Sequence, residues 1–156
     1  MKSGNERAGR ASVTAVTALP ASLRELIETG PLAHLTTLNA DGSPQVSVVW
    51  IGLDGDDVVT AHLGHYLKLR NMERDPRVAI SLEAPRVPGV FMNEYAVLRC
   101  RARVEPSDQA WDVLDRLAKL YVAPDTAFPA PRAPGWIVRY AVERVSGVGP
   151  WAPSGG

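Results

Sequence analysis

The stretch that decides the fold is residues 34–83, HLTTLNADGSPQVSVVWIGLDGDDVVTAHLGHYLKLRNMERDPRVAISLE. Its apolar and β-branched runs are punctuated by turn residues. Leu32 to Leu38 predicts a strand, Asn39-Ala40-Asp41-Gly42 a hairpin turn, and Gln45 to Leu53 the returning strand, because Asn, Asp and Gly tolerate positive φ. Asp54-Gly55-Asp56 turns the chain again and Val58 to Leu63 returns, so the two hairpins read as an antiparallel meander. Lys68 to Arg74 then predicts a short helix ended by Asp75-Pro76, and Arg77 to Glu83 a further strand. This order sets a cationic helix start, Lys68 with Arg70 and Asn71, beside the ends of strands. Unpaired N–H groups and positive charge together favour an anion such as a phosphate.

Outward from this segment, Pro20 is placed to open a helix, since its missing N–H has no partner there in any case. Leu23, Leu26 and Ile27 follow at helical spacing and Gly30-Pro31 stops it. After Glu83 the loop Ala84 to Gly89 is irregular. Tyr95 to Val104 predicts a long strand. Ser107 is expected to cap a helix with Trp111, Leu114, Leu117, Ala118 and Tyr121 on one face. Pro124 to Pro134 is a proline-rich loop and Trp136 to Val145 the last strand. The fold class is therefore mainly β (α+β): an antiparallel β-barrel, closed or partly closed, with helices at its margins.

The 156 residues suit one domain, placed at 19–151, with a disordered tail at 1–18 and a loose end at 152–156. Formal net charge is zero. That argues against a general electrostatic grip on nucleic acid or anionic membranes. No apolar run has the length of a membrane span, and the N-terminal segment lacks the apolar centre of a signal peptide. The single cysteine, Cys100, sits in an alternating apolar run and reads as a buried side chain. A reducing cytoplasm is the expected compartment.

Val46-Ser47-Val48-Val49-Trp50 offers a stiff, flat wall, and Ala61-His62-Leu63 a facing one. Taken alone these read first as core strands. Lys68 and Arg70 suit an anion, or else belong to a solvated helix face with Glu73 and Arg74. Asn71 suits holding the local loop. His34, His62 and His65 lack the companion ligands a zinc site needs, and Asp54, Asp56 and Asp57 read as a turn. There is no Ser-His-Asp spacing and no paired carboxylate arrangement, which fits an enzyme whose cofactor does the chemistry.

The residues Leu35-Thr36-Thr37-Leu38, Asp41-Gly42-Ser43-Pro44-Gln45-Val46-Ser47, Lys68, Arg70-Asn71, Asp75-Pro76-Arg77-Val78 and Tyr140-Ala141-Val142-Glu143-Arg144-Val145 stand in a fairly specific order. Through them the chain resembles the FMN-binding split β-barrel family related to pyridoxamine 5′-phosphate oxidase, most of all its branch that uses the deazaflavin coenzyme F-420. The resemblance covers about Leu19 to Trp151. It implies a homodimer with the cofactor in a groove at the interface. The cofactor-binding set it points to is Gln45, Ser47, Val48, Val49, Trp50, Ala61, His62, Tyr66, Lys68 and Asn71, with Asn93 and Tyr95 reaching in from the second chain. Lys68 takes the place of the phosphate lysine. Tyr66 stands where the family often has a basic residue, and His65 is a partial substitute. Tyr95 reads either as a hydrogen-bond donor or as a packed tyrosine. Arg99, Arg101, Arg103 and Arg132 either extend a basic groove for the glutamates of the F-420 tail or form a solvated face.

The activity this resemblance implies is hydride transfer from reduced F-420 to a small organic molecule. The alternatives are an FMN-dependent enzyme of the same fold, a non-catalytic deazaflavin carrier and, more distantly, a haem-binding split barrel with His62 or His65 on the iron.

Overall fold

Pro20 precedes the first helix, α1, Ala21–Glu28, and its carbonyl accepts the first amides, Leu23 at 3.0 Å and Arg24 at 3.1 Å. Leu23, Leu26 and Ile27 form its buried stripe, and Gly30 at φ 74° ends it in the left-handed conformation glycine tolerates. The computed structural model describes residues 18–153. The tail expected at 1–18 and the loose end expected at 152–156 therefore lie outside the described residues, except for Ala18, Ala152 and Pro153. Trp151, just before that end, is buried, and its indole N–H donates to the Tyr95 carbonyl at 2.9 Å.

Strands β1, Ala33–Leu38, and β2, Pro44–Val49, pair from Ala33↔Val49 to Leu38↔Pro44. Their turn is closed by the Asn39 amide on the Ser43 carbonyl, 2.8 Å, with Gly42 at φ 83°. Strands β3, Gly52–Asp54, and β4, Asp57–His62, form the second hairpin, in which Gly55 takes φ 60°. Helix α2 spans Leu67–Arg74, and β5, Arg77–Glu83, follows as expected. The long strands β6, Tyr95–Ser107, and β7, Gly135–Val148, flank helix α3, Ala110–Tyr121.

The sheet order is β2-β1-β5-β6-β7-β4-β3, antiparallel throughout. Its two edges, β2 and β3, are separated in sequence only by Trp50 and Ile51. Three Cα–Cα steps reach at most about 11 Å. Across a flat sheet of this many strands the edges would stand roughly 29 Å apart. The sheet must therefore curl until its edges nearly meet, and since β2 and β3 do not pair, the barrel stays split along that seam. This is the mainly β, antiparallel split-barrel architecture with flanking helices.

Two expectations are corrected here. The run Gln45 to Leu53 is not one strand but two, on opposite edges, so the hairpins do not form a continuous meander. The ladder breaks because the Ile51 amide is taken by the Tyr121 hydroxyl instead of a neighbouring strand, while the Ile51 side chain drops into the core. Ser107 does not cap α3 either. It ends β6, its hydroxyl accepts the Gln109 amide at 3.0 Å, and the helix starts three residues later.

Inside the barrel lie Leu35, Ile51, Leu69, Ile80, Leu82, Leu98 and Tyr140. Outside it, α3 covers Val59, Ala61 and Ile137 with Ala110, so β4 is buried on both faces and reads as apolar without alternation. Cys100 is buried as expected, and burial followed by Glu143 pushes its thiol up to about 12. No helix among the described residues is long and apolar enough to cross a membrane.

Candidate functional site

Where β2 leaves the sheet and β4 ends, the seam opens into a pocket of about 230 Å³ lined by Val48, Val49, Trp50, Ala61, His62, Lys68 and Leu114. Five of the residues expected along the strand walls meet here with the expected lysine. Trp50 is held by stacking on Tyr121, with ring centroids 5.4 Å apart and planes at 13°.

Lys68 lies in the first turn of α2. The amides of Leu69 and Arg70 bond the Tyr66 carbonyl, and those of Leu67 and Lys68 have no protein acceptor among the described residues. The Lys68 side chain is half-buried, and its ammonium lies 5.4 Å from the Tyr66 ring centroid. No carboxylate of the described residues is within ion-pairing distance of it. Burial holds its pKa below the ordinary lysine value. The result is a half-buried positive charge with two free amides and no counter-charge, a cradle suited to an anion.

The other basic candidates are engaged elsewhere. His65 Nε2 lies 2.7 Å from Glu73, and Arg70 donates to the His65 carbonyl at 3.0 Å. Arg101 pairs with Glu143, Arg103 with Glu105, and Arg132 with Asp112 while lying over the Trp111 ring. Arg99 is exposed on the same outward face. Tyr66 is 53% exposed; its ring lies back over Gly64, where a Cβ would collide with it.

Beside Lys68, His62 is buried. Its Nε2 is 2.8 Å from Thr60 Oγ1, which in turn is 3.0 Å from the Tyr140 hydroxyl. Burial first, and then the Lys68 charge, lower the His62 pKa to about 4, so the imidazole is neutral near pH 7. Gly135 makes this placement possible, since a Cβ there would run into the His62 carbonyl.

Gln45, Ser47 and Asn71 belong to a second network. Asn71 is fully buried and donates to Thr37 Oγ1 at 3.0 Å and Asn39 Oδ1 at 2.9 Å, while its own oxygen accepts from Arg74. The Thr37 hydroxyl donates to Gln45 Oε1, and Gln45 Nε2 donates to Ser47 Oγ, both at 3.0 Å. Asn71 thus ties α2 to the β1–β2 turn, the loop-holding role its position suits. The ladder ends at the Ser47 hydroxyl on the inward side of β2.

Asn93 and Tyr95 are not brought to this pocket within one chain. With Ser81, Leu82, Glu83 and Val97 they line a separate recess of about 430 Å³ on the outer face of β5 and β6. Asn93 pins its loop, donating to the Ala84 carbonyl at 2.7 Å and accepting the Val87 amide at 3.2 Å. Sequence reasoning missed Leu114, Thr60 and Tyr140. Thr60 was within reach of it, because residues two apart on a strand share a face, and Thr60 stands two before His62.

The sequence profile of the pyridoxamine 5′-phosphate oxidase family matches residues 19–149, nearly the whole described chain. The chain belongs to the pyridoxamine 5′-phosphate oxidase family. Among solved structures, this family member is similar to an F420 reductase at 29% identity and TM-score 0.67, over 82% of this chain and 98% of the other. It also shares the fold of a conserved hypothetical protein from Mycobacterium tuberculosis, at 19% identity and TM-score 0.68, over 88% and 87%. The HupZ protein of Group A Streptococcus has the fold as well, at 15% identity and TM-score 0.61, over 88% and 99%. No curated protein matches the sequence significantly.

Proposed function

We propose that this chain is an oxidoreductase that binds coenzyme F-420 at the split-barrel seam and uses it to reduce a small organic substrate. The observation that carries this reading is the half-buried Lys68 ammonium, with no carboxylate partner among the described residues, beside a groove walled by Val48, Val49, Trp50 and Ala61. Charge and free amides suit the cofactor phosphate; Val48, Val49, Trp50 and Ala61 suit one face of a flat ring. The likeness to an F420 reductase over nearly all of that protein's length supports the deazaflavin over FMN. When bound, the deazaflavin supplies a ring carbon that gives and takes hydride. The chain's own work is to hold the phosphate at Lys68, keep the ring against the β2 wall and exclude water from the seam.

The second part of the proposal is that two copies build the site. A pocket of about 230 Å³ is smaller than the roughly 300–1,000 Å³ usual for cofactor-sized ligands. Val46 and Val48 on the β2 edge are exposed, as are Val87, Val90, Phe91 and Met92 in the loop before β6. Apolar exposure of this kind on an edge strand and a loop favours cover by a second chain. In that arrangement Asn93 and Tyr95 belong to the other copy's groove.

Sedimentation velocity with F-420 present tests both parts together, because it reads protein mass and the co-sedimenting deazaflavin absorbance in one run. The expected result is a dimer boundary carrying the deazaflavin. A dimer with none would overturn the cofactor assignment, and a monomer that carries it would overturn the shared site.

A further inference from the structure

We infer that His62 is a fixed hydrogen-bond donor in the pocket: its Nδ1–H faces the space beside Lys68 and selects a ligand that places an acceptor oxygen there. This deepens the reading of the seam as a cofactor site. Its direction, however, comes from the barrel interior.

Tyr140 is fully buried, and among the described residues its hydroxyl has a single hydrogen-bond partner, Thr60 Oγ1 at 3.0 Å. A buried O–H with one available acceptor donates to it, because otherwise its proton is stranded. Thr60, having accepted from Tyr140, turns its own proton toward His62 Nε2 at 2.8 Å. That nitrogen must then present its lone pair. A neutral imidazole carries one N–H, so the proton is on Nδ1. Nδ1 has no protein partner among the described residues, and it is not sealed away, since no buried side-chain nitrogen or oxygen there lacks a partner. His62 as a whole is only 7% exposed and lines the pocket, so the opening at Nδ1 is into that pocket.

The alternative arrangements fail in the same accounting. With the proton on Nε2, Thr60 must accept it, and it then either accepts from Tyr140 as well or gives its own proton to Tyr140; in either case one hydroxyl proton, that of Thr60 or that of Tyr140, is left in the core without an acceptor among the described residues. Charging the ring has that cost and adds a buried cation beside Lys68. The pocket therefore shows two donors side by side, the imidazole N–H and the ammonium. An oxygen acceptor, whether a phosphate oxygen or a ring carbonyl, satisfies them, and an amine or amide N–H does not.

Nitrogen-15 NMR of the three histidines, assigned by single-residue variants, tests this without turnover. In the apo protein His62 is expected as the Nδ1–H tautomer, unchanged between pH 8 and pH 5.5. Thr60→Val and, independently, Tyr140→Phe are expected to give a tautomer mixture, whereas Thr60→Ser keeps the single form. Adding inorganic phosphate in one arm, and the phosphate-free deazaflavin chromophore in another, tells which oxygen is bound, because the Nδ1–H resonance shifts only with the one that reaches it. An Nε2–H tautomer in the parent, or no shift with either probe, overturns the inference. So does a tautomer unaffected by both relay variants. If phosphate or the chromophore shifts Nδ1–H while F-420 fails to bind, the donor assignment stands and the F-420 reading falls.

Discussion

The Tyr121 hydroxyl accepts the Ile51 amide at 3.0 Å and lies 2.9 Å from the Pro31 carbonyl, so the end of α3 clamps the crossing between the two edge strands. The Tyr121 ring also carries Trp50 by stacking, which links the clamp to the pocket wall. Tyr121→Phe keeps the stack but leaves the Ile51 amide without its acceptor. The expected cost is about 1–3 kcal/mol, a fall in melting temperature of about 2–12 °C for a domain of this size. Scanning calorimetry reads it. An unchanged melting temperature would mean that the crossing is held without the clamp.

Lys68 is half-buried, and no carboxylate among the described residues lies close enough to offset its charge. Lys68→Met is therefore expected to leave the cofactor-free protein as stable as the parent, or more so, while weakening cofactor binding. A charge-assisted hydrogen bond contributes roughly 1.5–3 kcal/mol, so the loss should be about ten- to a hundredfold in affinity. Parent binding should also weaken as salt rises. Fluorescence titration beside thermal melts separates the two effects. Equal affinity in the variant would return Lys68 to a solvated helix face.

The pH dependence of stability follows from His62. Its folded pKa, about 4, lies below the ordinary 6.5 because of burial and the nearby Lys68 charge. The unfolded chain then binds a proton that the folded chain refuses, so acid favours unfolding. This contribution is fully present above about pH 6.5, is lost as pH falls toward 4, and amounts to about 3 kcal/mol. Denaturant unfolding of the parent and of His62→Gln at pH 7.5 and pH 4.5 should show a smaller acid loss in the variant. Identical losses would place the acid sensitivity elsewhere.

Local chemistry made most of the fold legible. The Asn39–Gly42 and Asp54–Asp56 turns, the α1 stripe and the Asp75-Pro76 stop act within a few residues, and the structure places their elements within a residue or two. The break at Trp50-Ile51 was not legible. Both residues favour strands, and the interaction that removes Ile51 from the ladder comes from Tyr121, 70 positions away. The early end assigned to β6 has a related cause: Glu105, Pro106 and Ser107 are polar or ring-locked, yet pair with Ile137, Trp136 and Gly135 across the sheet. At the pocket, Lys68 and the β2 wall were legible because a charge at a helix start is a local signal. The Tyr140–Thr60–His62 relay was not, since it depends on which strands become neighbours, and β4 beside β7 appears only in the folded sheet.

The central claim is that the Lys68 pocket takes a phosphate-bearing deazaflavin. Side-by-side titration of the purified parent with F-420 and with FMN, followed by ring fluorescence at one salt concentration, tests it most directly. Saturable binding of both is expected, with F-420 the tighter, and both weakened about ten- to a hundredfold in Lys68→Met. Tight FMN binding with none of F-420 would contradict it and make the protein an FMN enzyme of the same fold.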